Sequence, residues 1–393
     1  MEFFSYRNFL HLGEALGLAG GFFGLAVFLG WMVVPFLARR GAARPALAGV
    51  PSSATSPNQG RGPVRTLEGA SWMLLLFCAL GFVVSVTAMA LRYREVRHWP
   101  AQTMYEVIPL GVTAGYLSTM ALYFVVGLHR RRGLARAFGD LFVALILLAG
   151  GMTLHYVLGL DPTGKPLPPA LQSYWFSTHI TAYMLGYFTL MIAAMGAWLY
   201  FCFRFWRGVF DRRRHPLNRL EVLAVVVFGL AAVPFGMQGV LLGPGVLALA
   251  GVVTAVSLAG SGRMEWFDAW QRDADRFTWL IFMVGFPFLT AGLIQGALWA
   301  QEAWARYWGW DSKEVSALIS WLFYVIYLHL RFVAGWRGER AMALLVAGAL
   351  SIYITFQLFG FLPASQNSLH RYTDMEFVPA EGMMAPSPET PAQ

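Results

Sequence analysis

The chain has 393 residues, of which 57% are apolar and only 13% charged, with a formal net charge of +8. Soluble domains carry about 25% charged residues, so this composition, with a mean hydropathy of +0.54, excludes an ordinary globular protein. The Lys and Arg gather in short loops between apolar runs, which is a topology signal rather than a nucleic-acid surface.

Runs of about 20 apolar residues recur along the whole chain and predict an all-α, polytopic transmembrane bundle. Ten spans are expected, near 14–38, 70–91, 106–128, 137–159, 179–203, 221–239, 243–260, 277–297, 314–334 and 341–362. The first 13 residues are mixed and the first apolar run is long enough to span, so no cleavable signal is expected. Residues 1–69 read as one span plus a flexible Gly-, Pro-, Ala- and Ser-rich loop, 70–373 as the main transmembrane domain, and 374–393 as a disordered tail. Pro234, Gly243, Pro244 and Gly245 interrupt the pair at 221–260, which reads as two spans or one re-entrant unit. Pro287 predicts a kink in the eighth span. No internal repeat is visible. Cys78 and Cys202 lie in or beside apolar runs and form no CxxC, which argues against thiol redox chemistry and disulfides.

Placing the 39–69 loop in the cytoplasm fixes every other loop by alternation. The cytoplasmic loops then hold 21 of the 29 Lys and Arg residues: five in 39–69, four in 129–136, six in 204–219, three in 261–276 and three in 331–340. That asymmetry supports the assignment. Arg92, Arg94 and Arg97 form the one contrary cluster, on the outside.

The densest chemistry lies between the eighth and ninth spans, on the predicted outer face. Within sixteen residues stand Trp299, Trp304, Arg306, Tyr307, Trp308, Trp310, Asp311, Lys313 and Glu314. An interfacial aromatic belt explains one or two tryptophans; four, with interleaved charge, suit a large planar ligand carrying carboxylates, such as haem. Arg306 or Lys313 would pair with its propionates. Beside this stands a plainer reading in which the tryptophans are a belt, and Asp311 with Glu314 is an N-cap and its acidic third residue.

Neutral imidazole is a good axial ligand for haem iron. His129 and His215 sit among cytoplasmic arginines and His11 near the N-terminus, and all three read as solvated. His98, His155, His179 and His370 all fall on or near the outer face, and spacing alone does not separate them. His329 lies within the ninth span near its cytoplasmic end; a histidine in a span is a functional hypothesis by default, against the alternative of a wetted interfacial residue beside a snorkelling Arg331.

The stretch Trp299–Glu314, followed by a helix ending Tyr327-Leu-His329-Leu-Arg331, resembles the Trp-rich (WWD) signature of the haem-handling proteins of cytochrome c maturation, of form WxxxxWxxYWxWDxKE. Leu171–His179, Pro100–Glu106 and Ser368-Leu-His370-Arg-Tyr372 are similar to further elements of its CcsA/ResC branch, the system II cytochrome c synthase. Together the matches cover about 70–180 and 277–373. Ser312 replaces the usual Pro, Arg371 the usual Ser and Thr103 the common Asn, while 205–275 is unmatched.

The resemblance implies a subunit of a cytochrome c synthase (haem lyase) complex in the bacterial plasma membrane, with a thylakoid membrane less favoured. It implies haem b as substrate, His179 and His370 as axial ligands at an external site, and the Trp loop as platform. It implies His329 as one ligand of a second haem in the membrane, its counterpart coming from a CcsB/ResB-type partner, and an apocytochrome c whose CxxCH thiols add to the haem vinyls. His98 and His155 would be spectators. Three other readings stand beside it: a haem chaperone that delivers to a separate ligase, a b-type electron carrier, and a transporter unrelated to haem.

Overall fold

The structure is a computed structural model that describes residues 4–42, 61–132, 134–232, 241–261 and 264–355. Among these there is no strand. The helices are α1 (Tyr6–Ala42), α2 (Arg61–Val96), α3 (Met104–Val125), α4 (Leu134–Leu158), α5 (Tyr174–Phe210), α6 (Arg219–Ala232), α7 (Val246–Ser261), α8 (Glu265–Trp304), α9 (Ser312–Phe332) and α10 (Glu339–Tyr353). One helix stands at each of the ten expected spans. Seven of them, α1 to α5, α8 and α9, are long and apolar enough to cross a membrane. α6 and α7, with 14 and 16 residues, are not among the seven; α7 follows directly on a π-helical stretch, Leu241–Gly245, and residues 233–240 lie outside the described residues. The expected continuation of α10 to 362 and the tail at 374–393 lie outside the described residues.

Two long antiparallel pairs organise the bundle: α1 lies along α4, and α5 along α8. Small residues allow both approaches. A Cβ on Gly17 would stand 2.7 Å from Gly151 Cα, and one on Gly186 of α5 would stand 2.7 Å from the backbone N of Leu289 on α8.

The 261–276 stretch, expected as a loop, is largely helical: α8 begins at Glu265, twelve residues before the expected edge, and runs through Pro287. Its polar residues depress a hydropathy window. Its helical spacing is nonetheless regular, with Phe267, Trp270, Ala274, Phe277 and Ile281 all buried. The acids of this extension meet arginines from three different elements. Asp268 pairs with Arg207 of α5, Asp273 with Arg131 of the α3–α4 loop, and Asp275 takes Arg331 of α9 at 2.7 and 2.9 Å through both its oxygens. Four of the five expected cytoplasmic loops, at 129–136, 204–219, 261–276 and 331–340, thus contribute to one end of the bundle, and 43–60 lies outside the described residues.

One member of the contrary cluster at 92–97 has a physical account. Arg92 is not a loop charge. It is 1% exposed, and its Nε donates to Glu106 Oε1 at 2.9 Å. Its Nη1 donates to Glu95 and to the carbonyl of Pro162, both at 3.1 Å, and its guanidinium lies over the rings of Tyr6 and Tyr105. In the assembled bundle Arg92 is thus a packing residue rather than a surface charge, while Arg94 and Arg97 are exposed and remain contrary to the count.

Candidate functional site

At the opposite end of the bundle the Trp-loop halves of α5 and α8 enclose a cavity. Its empty volume is about 1220 Å³ including the open mouth, and it is lined by residues of α3, α5, α8, α9 and the loops between them. The lining is mainly apolar and aromatic, with polar groups at Gln102, Thr103, His179, Lys313, Glu314 and Thr355.

His179 sits in the first turns of α5, whose N-cap is Ser173: the Ser173 hydroxyl accepts from the N–H of Trp175 at 3.1 Å. His179 Nδ1 lies 2.8 Å from the carbonyl oxygen of Gly292 on α8. A carbonyl can only accept, so Nδ1 carries the proton and the lone pair of the neutral ring is on Nε2, the arrangement a metal-ligating imidazole needs. The ring stacks on Trp299 at 5.7 Å between centroids and 25° between planes. Tyr183, one turn along α5, meets it edge-on at 4.7 Å, and Tyr187 continues the column 4.9 Å further on. His179, Tyr183 and Tyr187 recur at i, i+4 and i+8 on one helix face, and all three line the cavity.

Trp299 is itself held firmly. It is 2% exposed, its indole N–H donates to the carbonyl of Ala170 at 2.8 Å, and it packs with Ala101, Leu171 and Phe176 in a small apolar cluster separate from the main core. Trp304 leans on it at 4.9 Å. Both tryptophans belong to the last turns of α8, so the connection to α9 is only 305–311.

In that connection Asp311 is the N-cap of α9, accepting from the N–H of Lys313 at 3.2 Å. Glu314 Oε2 accepts from the N–H groups of Gly309 at 2.9 Å and Asp311 at 3.1 Å. The capping box of the plainer reading is thus present, and it clamps the turn that carries Trp308 and Trp310. Tyr307, Trp308, Lys313 and Glu314 line the cavity; Trp304, Arg306, Trp310 and Asp311 do not. Trp310 has a left-handed backbone, φ 56°, and is 72% exposed. Arg306 folds back over Gly309. The ammonium of Lys313 makes no hydrogen bond or ion pair among the described residues, and it is the cation placed to meet a carboxylate inside the cavity.

The remaining histidines lie elsewhere. His98 reaches the carbonyls of Trp99 and Lys165, and His155 pairs with Glu14 at 2.8 Å. His329 occupies the last turn of α9, at the Arg-rich end, on an outward stripe with Ile319, Leu322, Ile326 and Val333, at alternating spacings of three and four. Its neighbours Tyr324, Tyr327 and Arg331 face inward and are buried. His370 lies outside the described residues.

The sequence pattern of the family described as cytochrome C assembly protein matches residues 109–364, which span most of α3 through α10, with the Trp loop and most of the cavity lining. The chain belongs to that family. It is 30% identical over 305 residues to a cytochrome c biogenesis protein CcsA of Gloeobacter violaceus, covering 74% of this chain and 83% of that one. Similar relatives occur in Heterosigma akashiwo, 29% over 281 residues covering 72% and 79%, and in Rippkaea orientalis, 30% over 292 residues covering 69% and 80%. Both are also described as cytochrome c biogenesis protein CcsA. This family member is a multi-pass membrane protein of cytochrome c biogenesis.

Several residues of the site were not apparent from the sequence: Gly292 with its carbonyl, Gly296, Tyr183 and Tyr187; the 101–104 segment that closes one wall falls within the matched element Pro100–Glu106. The i, i+4, i+8 spacing after His179 was the available signal for the tyrosines.

Proposed function

We propose that the chain takes up haem b and presents it, at the Trp-loop end of the bundle, for thioether attachment to an apocytochrome c. The Trp-loop end faces outward from the bacterial plasma membrane in this reading, with the Arg-rich end in the cytoplasm. His179 and His370 are the axial ligands. Trp299, Tyr307 and Trp308 flank the macrocycle, and Lys313 meets a propionate. The observation that carries the reading is the imidazole of His179, which is stacked on Trp299 and bound through Nδ1–H to Gly292 in an open cavity lined by aromatic rings and Lys313.

The CxxCH thiols of the apocytochrome add across the two vinyl groups, each S–H bond and C=C bond giving a C–S and a C–H bond. No nucleophile on this chain is called for. Its contribution is positioning and control of iron ligation. His329, outward on α9, would meet a histidine from a CcsB/ResB-type membrane partner around a second haem, at the end where haem enters.

The test is the absorbance spectrum of the full chain purified with its membrane partner. A bis-imidazole Soret and α/β spectrum is expected, weakened in His179→Ala/His370→Ala and restored by added imidazole. A preparation without haem would sink the reading, and an unchanged spectrum in the double variant would move the ligands to other histidines.

A further inference from the structure

We infer that α8 carries a built seat for the His179 ring, made by Gly292 and Gly296, and that these two glycines are positioning residues for the haem-binding role proposed above, on which the inference rests. Three positions of α8, spaced i, i+4 and i+7, touch one imidazole: the carbonyl of Gly292 accepts from Nδ1, Gly296 lies against the ring edge, and Trp299 stacks on its face.

The need for glycine follows from the geometry. A helical carbonyl points toward the residue four positions on, and a side chain there covers its second lone pair. Gly296 leaves the Gly292 carbonyl uncovered, so the imidazole can reach it from the side. A Cβ at 296 would stand 2.6 Å from His179 Cε1 and 2.7 Å from Nδ1. Carbon atoms prefer separations of about 3.5–4.0 Å, so the ring would retreat by about 1 Å. The 2.8 Å bond to Gly292 would then pass beyond hydrogen-bonding distance. Gly292 serves the next turn: a Cβ there would stand 3.0 Å from Tyr183 Cγ, beneath the same imidazole. Glycine is a poor helix former, and two of them one turn apart, one against Tyr183 and one against His179, are explained by this seat. The sequence feature that would mark it is a Gly-xxx-Gly-xx-Trp run at the Trp-loop end of α8.

The experiment is a haemin titration of the full chain in detergent, read by absorbance, for wild type, Gly296→Ala, Gly186→Ala, His179→Gly and His179→Gly/Gly296→Ala. Loss of the hydrogen bond that orients a metal ligand lowers affinity about 10- to 100-fold. Gly296→Ala is expected to bind haemin at least about tenfold more weakly, with part of the low-spin spectrum replaced by a high-spin form. Gly186→Ala, which presses on the α8 backbone of the same seam without touching His179, gives the cost of seam strain alone and is expected to lose clearly less affinity than Gly296→Ala. In the His179→Gly background, with imidazole supplied in solution, Gly296→Ala is expected to make no further difference, because the seated ring is gone. If Gly296→Ala accumulates poorly, His179→Gly should restore its level by vacating the space. The inference is overturned by wild-type affinity in Gly296→Ala, by an equal loss with and without His179, or by a failure of His179→Gly to restore a poorly accumulating variant. Wild type that binds no haemin would overturn the functional reading and this seat together, whereas haemin-binding wild type with an indifferent Gly296→Ala would overturn the seat alone.

Discussion

Glu106→Gln should destabilise the bundle by about 3 kcal/mol, more than any surface ion pair could account for. The side chains of Arg92 and Glu106 are both 2% exposed and 2.9 Å apart. Two charges about 4 Å apart attract by about 4 kcal/mol at an effective dielectric of 20, and removing one member of a buried pair leaves the other stranded. Glu95, with 58% of its side chain exposed, and the Pro162 carbonyl retain part of the guanidinium's bonding, which places the loss at the lower end of the buried-pair range. Glutamine cannot mimic the carboxylate. One oxygen accepts from Arg92 and the other from the N–H groups of Gln102 and Thr103, so an amide must turn its NH₂ against one set of donors. Arg92→Met should cost about 2 kcal/mol, because Glu106 keeps its two backbone donors. The double variant Arg92→Met/Glu106→Gln should cost little more than Glu106→Gln alone, about 3 kcal/mol, giving a coupling of about 2 kcal/mol. The assay is reversible denaturant unfolding of the detergent-solubilised full chain, followed by tryptophan fluorescence. Additivity within about 0.5 kcal/mol, or a loss below about 1 kcal/mol for Glu106→Gln, would refute the argument. Because Gln102 and Thr103 line the His179 cavity, Glu106→Gln should also weaken haemin binding.

Burial predicts a contrast among the α8 acids: by the same unfolding assay Asp275→Asn, which strands an Arg331 side chain 5% exposed, should cost about 3 kcal/mol, whereas Asp273→Asn, whose pair is 33% and 45% exposed, should cost under about 1 kcal/mol. Lys313→Met should weaken haemin about tenfold in an absorbance titration, yet leave the dimethyl ester, which lacks the carboxylates, unaffected. Trp299→Phe, losing the indole bond to Ala170 and part of the stack on His179, should cost about 1–2 kcal/mol by unfolding. Trp310→Phe, at 72% exposure, should stay within about 0.5 kcal/mol.

The long spans were legible because apolar runs of membrane length have few other uses, and the start of α9 was legible because Asp311 and Glu314 carry their own local hydrogen-bond pattern. What escaped were the features that depend on a second helix. The extension of α8 looks polar in one dimension and becomes amphipathic only when Phe267, Trp270 and Ala274 find a core. Arg92 read as a loop charge because its partner, fourteen residues on, belongs to another helix. His179 could be picked out from four outer histidines only through a motif, since its decisive contact is with a backbone carbonyl, a group that every residue has and no side-chain pattern reveals.

The acid–arginine clasps at the base of α8 separate two moments in the life of the chain. During insertion, arginines hold a segment back while aspartates contribute little, so in the proposed orientation Arg131, Arg207 and Arg331 help fix which way each hairpin enters before any helix has met its neighbour. Once the helices assemble, Asp273, Asp268 and Asp275 claim the same three arginines. A charge that first served as an address becomes a fastener, and α8, the helix that collects all three, cannot be clasped until α5, α9 and the α3–α4 loop have arrived. Closure of this end thus draws on elements that precede and follow α8 in the chain.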